Sequence, residues 1–465
     1  MKIIMISLDS LRADRLGSYG YAKPTSPYID KIASEGALFE SAYSQDIPTE
    51  VVHTSIFTGK IGLRTGIVSH GSTLTHLPRT TEWLPNMLRQ SGFTTGAVDN
   101  LYQLKEWFAR GFRYYINSVG DNRWIDGKTV NELAKPWLRD HKDEDFFLFL
   151  HYWDPHTPYL PPDEYKQFYE GSGNPYDPNN KSMDDAYNHL AYPFFKHHHF
   201  DLIGPVTDAE YVNALYDAEV RYLDDRLKEI DNYLEELGIK EDTLLVLFGD
   251  HGESLTEHDI YWDHCGLYEQ TVRVPLILRW PDQIPAGKRV NGFVQQVDLM
   301  PTILEAIEAS DGKKIAVPEG IDGKSLWPTI HGQENGTQSR VYLSECAWQA
   351  ARGLRTDRYK FIRNYDSGPF TRSPRELYDL KADPEETNNL ADTSPELAHQ
   401  FENELNAWVD SILQGKEDPM MHQLKMEGLP FRKRIEKILN GVGLTWDEWK
   451  ENPSRERLES LLLQT

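Results

Sequence analysis

The sequence predicts an α/β protein: a large, mostly parallel sheet flanked by helices, followed by a small C-terminal α+β domain. Uninterrupted apolar runs at 146–150 and 244–248, and the largely apolar stretch 2–8, read as strands buried on both faces, and each ends in a polar cluster. Helical periodicity between such runs gives the strand–helix–strand alternation of a parallel sheet. From about Ser339 the pattern changes to short strands separated by turn residues.

Taken in order, residues 2–8 form a strand that Asp9 closes, and ligands of open α/β sheets gather at such carboxyl ends. Ser26 to Phe39 reads as a short helix with Ile29, Ile32 and Ala33 on one side. In the segment Pro48 to Lys60, the residues Val52, Ser55, Ile56 and Gly59 have helical spacing, which places Thr49 near a helix N-terminus. Unpaired N–H groups and the positive dipole end there suit an anion or a nucleophilic oxygen, and an ordinary N-cap is the alternative. Leu84 to Gly92 is a helix with Pro85 in its first turn, and Thr94 to Val98 the strand after it. The strand at 146–150 feeds His151-Tyr152-Trp153-Asp154-Pro155-His156, where His156 is a candidate active-site acid or leaving-group ligand.

Residues 160–205 are rich in Pro, Asn, Tyr and His and read as an insertion, either a lid over the site or a surface loop. Its run His197-His198-His199 has the look of a metal tract with nothing around it in support. Thr207 and Glu210 form a capping box for a long helix that Gly238 ends. The strand at 244–248 then delivers Gly249-Asp250-His251-Gly252, and an adjacent Asp and His can give one oxygen and one nitrogen to a divalent metal such as Zn²⁺ or Mn²⁺. His258, Asp259, Asp263 and His264 crowd the same loop.

A helical segment at 298–308 closes the large domain, expected over 1–335. A small antiparallel domain over 336–415 follows, with strands at Arg340 to Leu343, Ala351 to Thr356 and Tyr359 to Arg363 and a helix at Leu397 to Leu413. A helical extension, 416–465, carries a basic amphipathic segment from Arg432 to Leu439 and a capping box of Thr445 with Glu448. Trp446, Trp449 and Leu461 to Leu463 need burial, either on their own chain or against a second copy in a homo-oligomer.

With 49 Lys and Arg against 73 Asp and Glu, the net charge of −24 disfavours nucleic acid or an anionic membrane as the partner. An anionic substrate would need local positive charge. Two cysteines, Cys265 and Cys346, make no disulfide framework and fit a reducing compartment. No apolar run approaches the roughly eighteen residues of a membrane span, and the run before Asp9 is short for a signal peptide. The expected location is cytoplasmic, which leaves the sequons at Asn180 and Asn335 without meaning.

Several of these segments, in this order, resemble the sulfatase family of the alkaline phosphatase superfamily. They are Asp9-Ser10-Leu11-Arg12-Ala13-Asp14, Thr58-Gly59, Asp154-Pro155-His156-Thr157-Pro158-Tyr159, Gly249-Asp250-His251-Gly252-Glu253 and Val274-Pro275-Leu276. Val297-Asp298-Leu299-Met300-Pro301-Thr302, Gly320 to Leu326 and Glu376-Leu377-Tyr378-Asp379-Leu380 continue the match to about residue 410. The resemblance implies a large mixed, mostly parallel sheet and an ester hydrolase.

The departure from the family is informative. Sulfatases carry a Cys or Ser, oxidised to formylglycine, ten residues before the Gly of the Thr-Gly pair, in a Cys/Ser-x-Pro-x-Arg setting. Here that count lands on Thr49, with Val51 and His53 at the Pro and Arg positions. Thr cannot give that aldehyde, but it is the nucleophile of phosphodiesterases and phosphotransferases in the same superfamily. The resemblance further implies a divalent metal (Zn²⁺, Mn²⁺ or Ca²⁺, at least one) held by Asp9, Asp250 and His251, with Thr49 as fourth ligand and Ser10 at a position where the family has a ligand Asp. It makes His53, Lys60 and His70 candidates for stabilising charge on the transferred group or for holding the Thr49 oxygen, and His264 joins His156 as a further candidate catalytic residue. The expected activity is cleavage or transfer of a phosphate mono- or diester or a phosphonate ester on a small anionic substrate. A sulfatase working without formylglycine and a catalytically silent anion-binding relative are the alternatives.

Overall fold

The computed structural model describes residues 1–117, 125–168, 173–333 and 337–464; the sequon at Asn335, the boundary between 335 and 336, and 169–172 of the insertion lie outside them. The strand Lys2–Leu8 lies in the middle of a nine-stranded sheet, parallel to Phe146–Tyr152 on one side and Thr243–Gly249 on the other. Thr94–Val98 and Tyr114–Ile116 extend it in parallel, while Leu276–Arg279 pairs antiparallel with Thr243–Gly249 and makes the sheet mixed. The period of two divides the central strand between layers: Ile4, Ile6 and Leu8 join the core on one face, Ile3 and Met5 the core on the other. The helix Ala209–Glu236 covers the first face with Val212, Leu215, Leu223, Leu227, Ile230 and Leu234 buried.

Three local expectations change. The helix expected from Ser26 to Phe39 ends at Ser34, and Ala37–Tyr43 is a strand. A side chain at Gly36 would collide with the Leu278 backbone, so the chain turns there to pack edge-on. The strand at 146–150 runs on to Tyr152 and takes in His151. The long helix is capped by Asp208, whose carboxylate accepts from Glu210 N, while the Thr207 hydroxyl donates to the carbonyls of Pro175 and Asp177.

The C-terminal strands Arg340–Cys346, Ala350–Thr356, Tyr359–Asp366 and Arg375–Asp379 form an antiparallel sheet. Its edge takes in Asp46–Ile47 from the other end of the chain, paired in parallel with Ser344 and Glu345. A buried ion network also ties this sheet to the short helix Glu269–Val272: Lys360 Nζ lies 2.8 Å from both Glu269 and Glu386. The extension packs on its own chain through Phe431, Ile435, Leu439, Trp446, Trp449 and Leu458, which join the main core. No helix among the described residues is long and apolar enough to cross a membrane.

Candidate active site

The strand ends converge on Thr49. It is the first residue of the helix Thr49–Thr58, which is buried along its whole length and stops at Gly59 in the left-handed region (φ 65°). Pro48, not Thr49, occupies the N-cap position, so the Thr49 hydroxyl is left to point outward and donates to His251 Nε2 at 3.0 Å. His251 Nδ1 donates to the Gly252 carbonyl at 3.0 Å, which leaves Nε2 as the acceptor facing the cluster.

Asp9 and Asp250 flank that nitrogen at 3.7 and 3.3 Å. Ser10, with φ 59°, folds back so that its N–H donates to Asp250 and its hydroxyl to Asp9. Asp250 Oδ1 accepts from the N–H groups of Ser10 and His251, whereas Oδ2 is buried without a hydrogen-bond partner. Burial, and then the charge on Asp9, push the Asp250 carboxyl up to about 7. Asp9 is held low, as His156, His151 and His251 together outweigh burial.

His151 bridges Asp9 (3.2 Å) and Asp99 (3.1 Å); against burial, those carboxylates lift it to about 10, so it is a fixed cation. His53 donates from Nδ1 to the Thr49 carbonyl at 2.8 Å and accepts from the Ser7 hydroxyl at 2.9 Å. Burial, then His151, bring it down to about 3. Of the two roles expected of His53, this geometry fits a neutral brace on Thr49, at its backbone carbonyl, and not a cation on the transferred group. Lys60 is also corrected: it follows Gly59 at the far end of the ten-residue helix, about 15 Å along the axis from Thr49.

The other three expected imidazoles are brought together with Thr49. His70, His156 and His264 line a cavity of about 80 Å³ above it. His264 stacks on His251 with centroids 4.5 Å apart, and His156 approaches His264 at 4.9 Å. Burial lowers His156 to about 4 and His264 to about 3. The remaining wall is Leu104, Trp153, Thr157, Phe194, Phe195, His198, Asp263, Trp348, Phe431 and Arg434. His151 and Arg434, not His53 and Lys60, thus supply the positive charge near the site. His151 closes an apolar strand, a signal the sequence does contain. Arg434 carries none, because only folding brings the extension here.

The donors fit a divalent cation. Among the described residues two groups hold ligand atoms within 4.8 Å of one another, Asp9–Asp250–His251 and His53–His151–Asp250. In the second, both ring nitrogens of both histidines are already engaged. The first has the orphaned Asp250 Oδ2, a His251 Nε2 shared only with the Thr49 hydroxyl, itself an expected ligand, and two carboxylates side by side, which is what a bound cation satisfies.

Fold and site together define a member of the alkaline phosphatase superfamily. Within it, the chain belongs to the sulfatase family: residues 2–309 match that family's model, and 256–411 match the C-terminal region of N-sulphoglucosamine sulphohydrolase. It is similar to the N-acetylglucosamine-6-O-sulfatase of Bacteroides thetaiotaomicron (25% identity over 83% of this chain and 82% of the relative). The multifunctional alkaline phosphatase superfamily protein PehA of Trinickia caryophylli is 25% identical over 84% of this chain and 91% of its own. Among solved structures, the phosphonate monoester hydrolase of Agrobacterium radiobacter superposes with a TM-score of 0.72 at 19% identity, covering 89% of this chain and 96% of its own; at that identity the likeness speaks for the fold.

Proposed function

We propose that this protein cleaves, or transfers from, a phosphate mono- or diester or a phosphonate ester, with Thr49 as the nucleophile. As a sulfatase-family chain it is an ester hydrolase. Relatives bear the names of both sulfatases and phosphonate monoester hydrolases, so the residue at position 49 decides between them. The observation that carries the reading is the Thr49 hydroxyl 3.0 Å from His251 Nε2, among Asp9 and Asp250, at the positive end of a buried helix.

Asp9, Asp250 and His251 would hold the cation, with Thr49 as the fourth ligand. A nitrogen donor beside two carboxylates favours Zn²⁺ or Mn²⁺ over Ca²⁺. When bound, such an ion lowers the pKa of a hydroxyl and draws charge off the transferred group. The chain's own part is to orient. His53 fixes the Thr49 backbone, Ser10 fixes both carboxylates, and His151 offsets their charge. The bond from Thr49 Oγ1 to phosphorus forms as the bond to the leaving alcohol breaks, and the electron pair leaves on the alcohol oxygen. The Thr49 proton passes to water or to a lining imidazole. Water, or an acceptor alcohol, then cleaves the phosphothreonine. A sulfated threonine would lack the aldehyde route for expelling sulfate.

Thr49→Ala should cost about 10³-fold or more in kcat, and Thr49→Ser should keep part of the activity. Mass spectrometry of the tryptic peptide should give Thr49 its encoded mass. On nitrophenyl esters, the phosphodiester, phosphonate or phosphate monoester should be cleaved faster than the sulfate. A kcat/KM for aryl sulfate above all three would return the site to the sulfatase reading.

A further inference from the structure

Gln296 lies behind the site, in the short turn Gln296–Asp298, and is 1% exposed. Its side-chain amide donates both Nε2 hydrogens to the turn that carries Asp250: one to the Gly249 carbonyl, the other to the Asp250 carbonyl at 3.0 Å. Turning the amide over would set its oxygen against two carbonyl oxygens, so its orientation is fixed. Gln296 Oε1 is then buried without a hydrogen-bond partner among the described residues, so the amide is satisfied only through its grip on the two carbonyls.

That grip controls where Asp250 points. The Gly249 carbonyl belongs to the peptide plane before the Asp250 Cα, and the Asp250 carbonyl to the plane after it. Peptide planes are rigid, so holding both sets φ and ψ of Asp250 and with them the direction of its carboxylate. The second plane is also held at its other edge, where the His251 N–H donates to Asp250 Oδ1 at 2.7 Å. The same residue ties this turn to the helix that begins at Thr49. Gln296 N–H donates to Gln45 Oε1 at 3.1 Å, and Gln45 Nε2 donates to Asp46 Oδ2 at 3.1 Å. That oxygen accepts in turn from Ser55 Oγ, on the helix Thr49–Thr58, at 2.9 Å. Two residues after Gln296, Asp298 Oδ1 accepts from Lys324 N–H at 2.7 Å, and the adjacent Asp322 and Gly323 N–H groups donate to the Gly59 carbonyl where that helix stops (2.8 and 3.2 Å). Gln45, Asp46, Ser55 and Asp298 are all buried, which keeps water from substituting for these bonds. We infer that Gln296 is a positioning residue for the reaction: it fixes the peptide planes on both sides of Asp250 and, through Gln45 and Asp46, holds them at a set distance from the helix of Thr49. The inference rests on the reading of Asp250 as a metal ligand and Thr49 as the nucleophile.

Gln296→Met keeps the length of the side chain and removes both donors. In the metal-free protein it should speed amide exchange about tenfold or more in the peptide covering Gly249 to Gly252, read by mass spectrometry. Competition with a chelator should show Zn²⁺ held about tenfold more weakly, the size of effect that supporting partners of metal ligands have. On a nitrophenyl ester kcat should fall with KM unchanged. Gln296→Asn, one methylene short of reaching both carbonyls, should show the same losses in smaller measure, and it decides the matter where the methionine variant does not fold. Leu405→Ala, in the separate core between the C-terminal sheet and the helix Pro395–Leu413, should lower the melting temperature and leave exchange and Zn²⁺ affinity as they were. Unchanged exchange in a folded Gln296 variant, unchanged Zn²⁺ affinity where the unaltered chain binds the ion, or equal losses in Leu405→Ala would each overturn the inference. Faster exchange in Gln296→Met, in a protein whose unaltered chain takes up no Zn²⁺, would keep the grip of Gln296 on the turn and remove the metal-ligand reading of Asp250.

Discussion

Asp250 shows how much of the site's behaviour resides in one side chain. One carboxylate oxygen is satisfied by two backbone N–H groups; the other is buried, faces Asp9 and has no partner. Asp250→Asn keeps the shape and removes the charge. Because even supporting residues around a metal are worth tenfold or more, metal affinity should fall at least tenfold, read by elemental analysis after dialysis, and turnover should fall with it. The melting temperature of the metal-free protein should hold or rise, since the repulsion with Asp9 is gone. Full metal content in the variant would remove Asp250 from the ligand set. At this scale, Asp9, Thr49, Asp250 and His251 were legible in the sequence because each stands where an apolar or helical run begins or stops. Lys60 misled because nearness along the chain ignores the length of the intervening helix.

Among the elements, the helix Trp446–Glu451 holds the extension in place. Trp449 is fully buried and donates from its indole N–H to the Leu190 carbonyl in the insertion, next to Phe194 and Phe195. Trp449→Ala should cost about 3–5 kcal/mol in urea unfolding. Loosening that anchor should also raise KM more than it lowers kcat, because Phe431 stands on the preceding helix while Thr49 does not. An unchanged unfolding midpoint would show that the extension is not anchored here. The capping box of Thr445 and Glu448 was readable and is present. What the two tryptophans bury themselves against was not, since an amphipathic face names no partner. The central strands were clear for the opposite reason: a run such as Leu244 to Phe248, apolar at every position, has only a two-faced core to go to.

For the whole molecule, the buried network of Lys360, Glu269 and Glu386 links stability to pH in two directions: burial pushes the Glu386 carboxyl up to about 7, while Glu269 is shifted down. Against burial, Lys360 and Arg355 hold the Glu269 carboxyl down to about 2. A folded pKa below the unfolded one stabilises fully above the ordinary carboxyl value of 4.5 and is lost as pH falls toward about 2. Glu269→Gln should therefore lower the melting temperature at neutral pH and flatten its fall across that window. Parallel acid limbs for the two proteins would place the sensitivity elsewhere.

The strand Asp46–Ile47 sits two residues before Thr49, yet its partner, Ser344–Glu345, is added about three hundred residues later. On a ribosome moving at ordinary speed, that is a wait on the order of tens of seconds. Through that interval the central strands and their helices are able to assemble, while the loop leading to Thr49 has an unclaimed edge. The reactive hydroxyl gains its final support only once roughly three quarters of the polypeptide has emerged, so a shorter translation product carries the nucleophile without its frame.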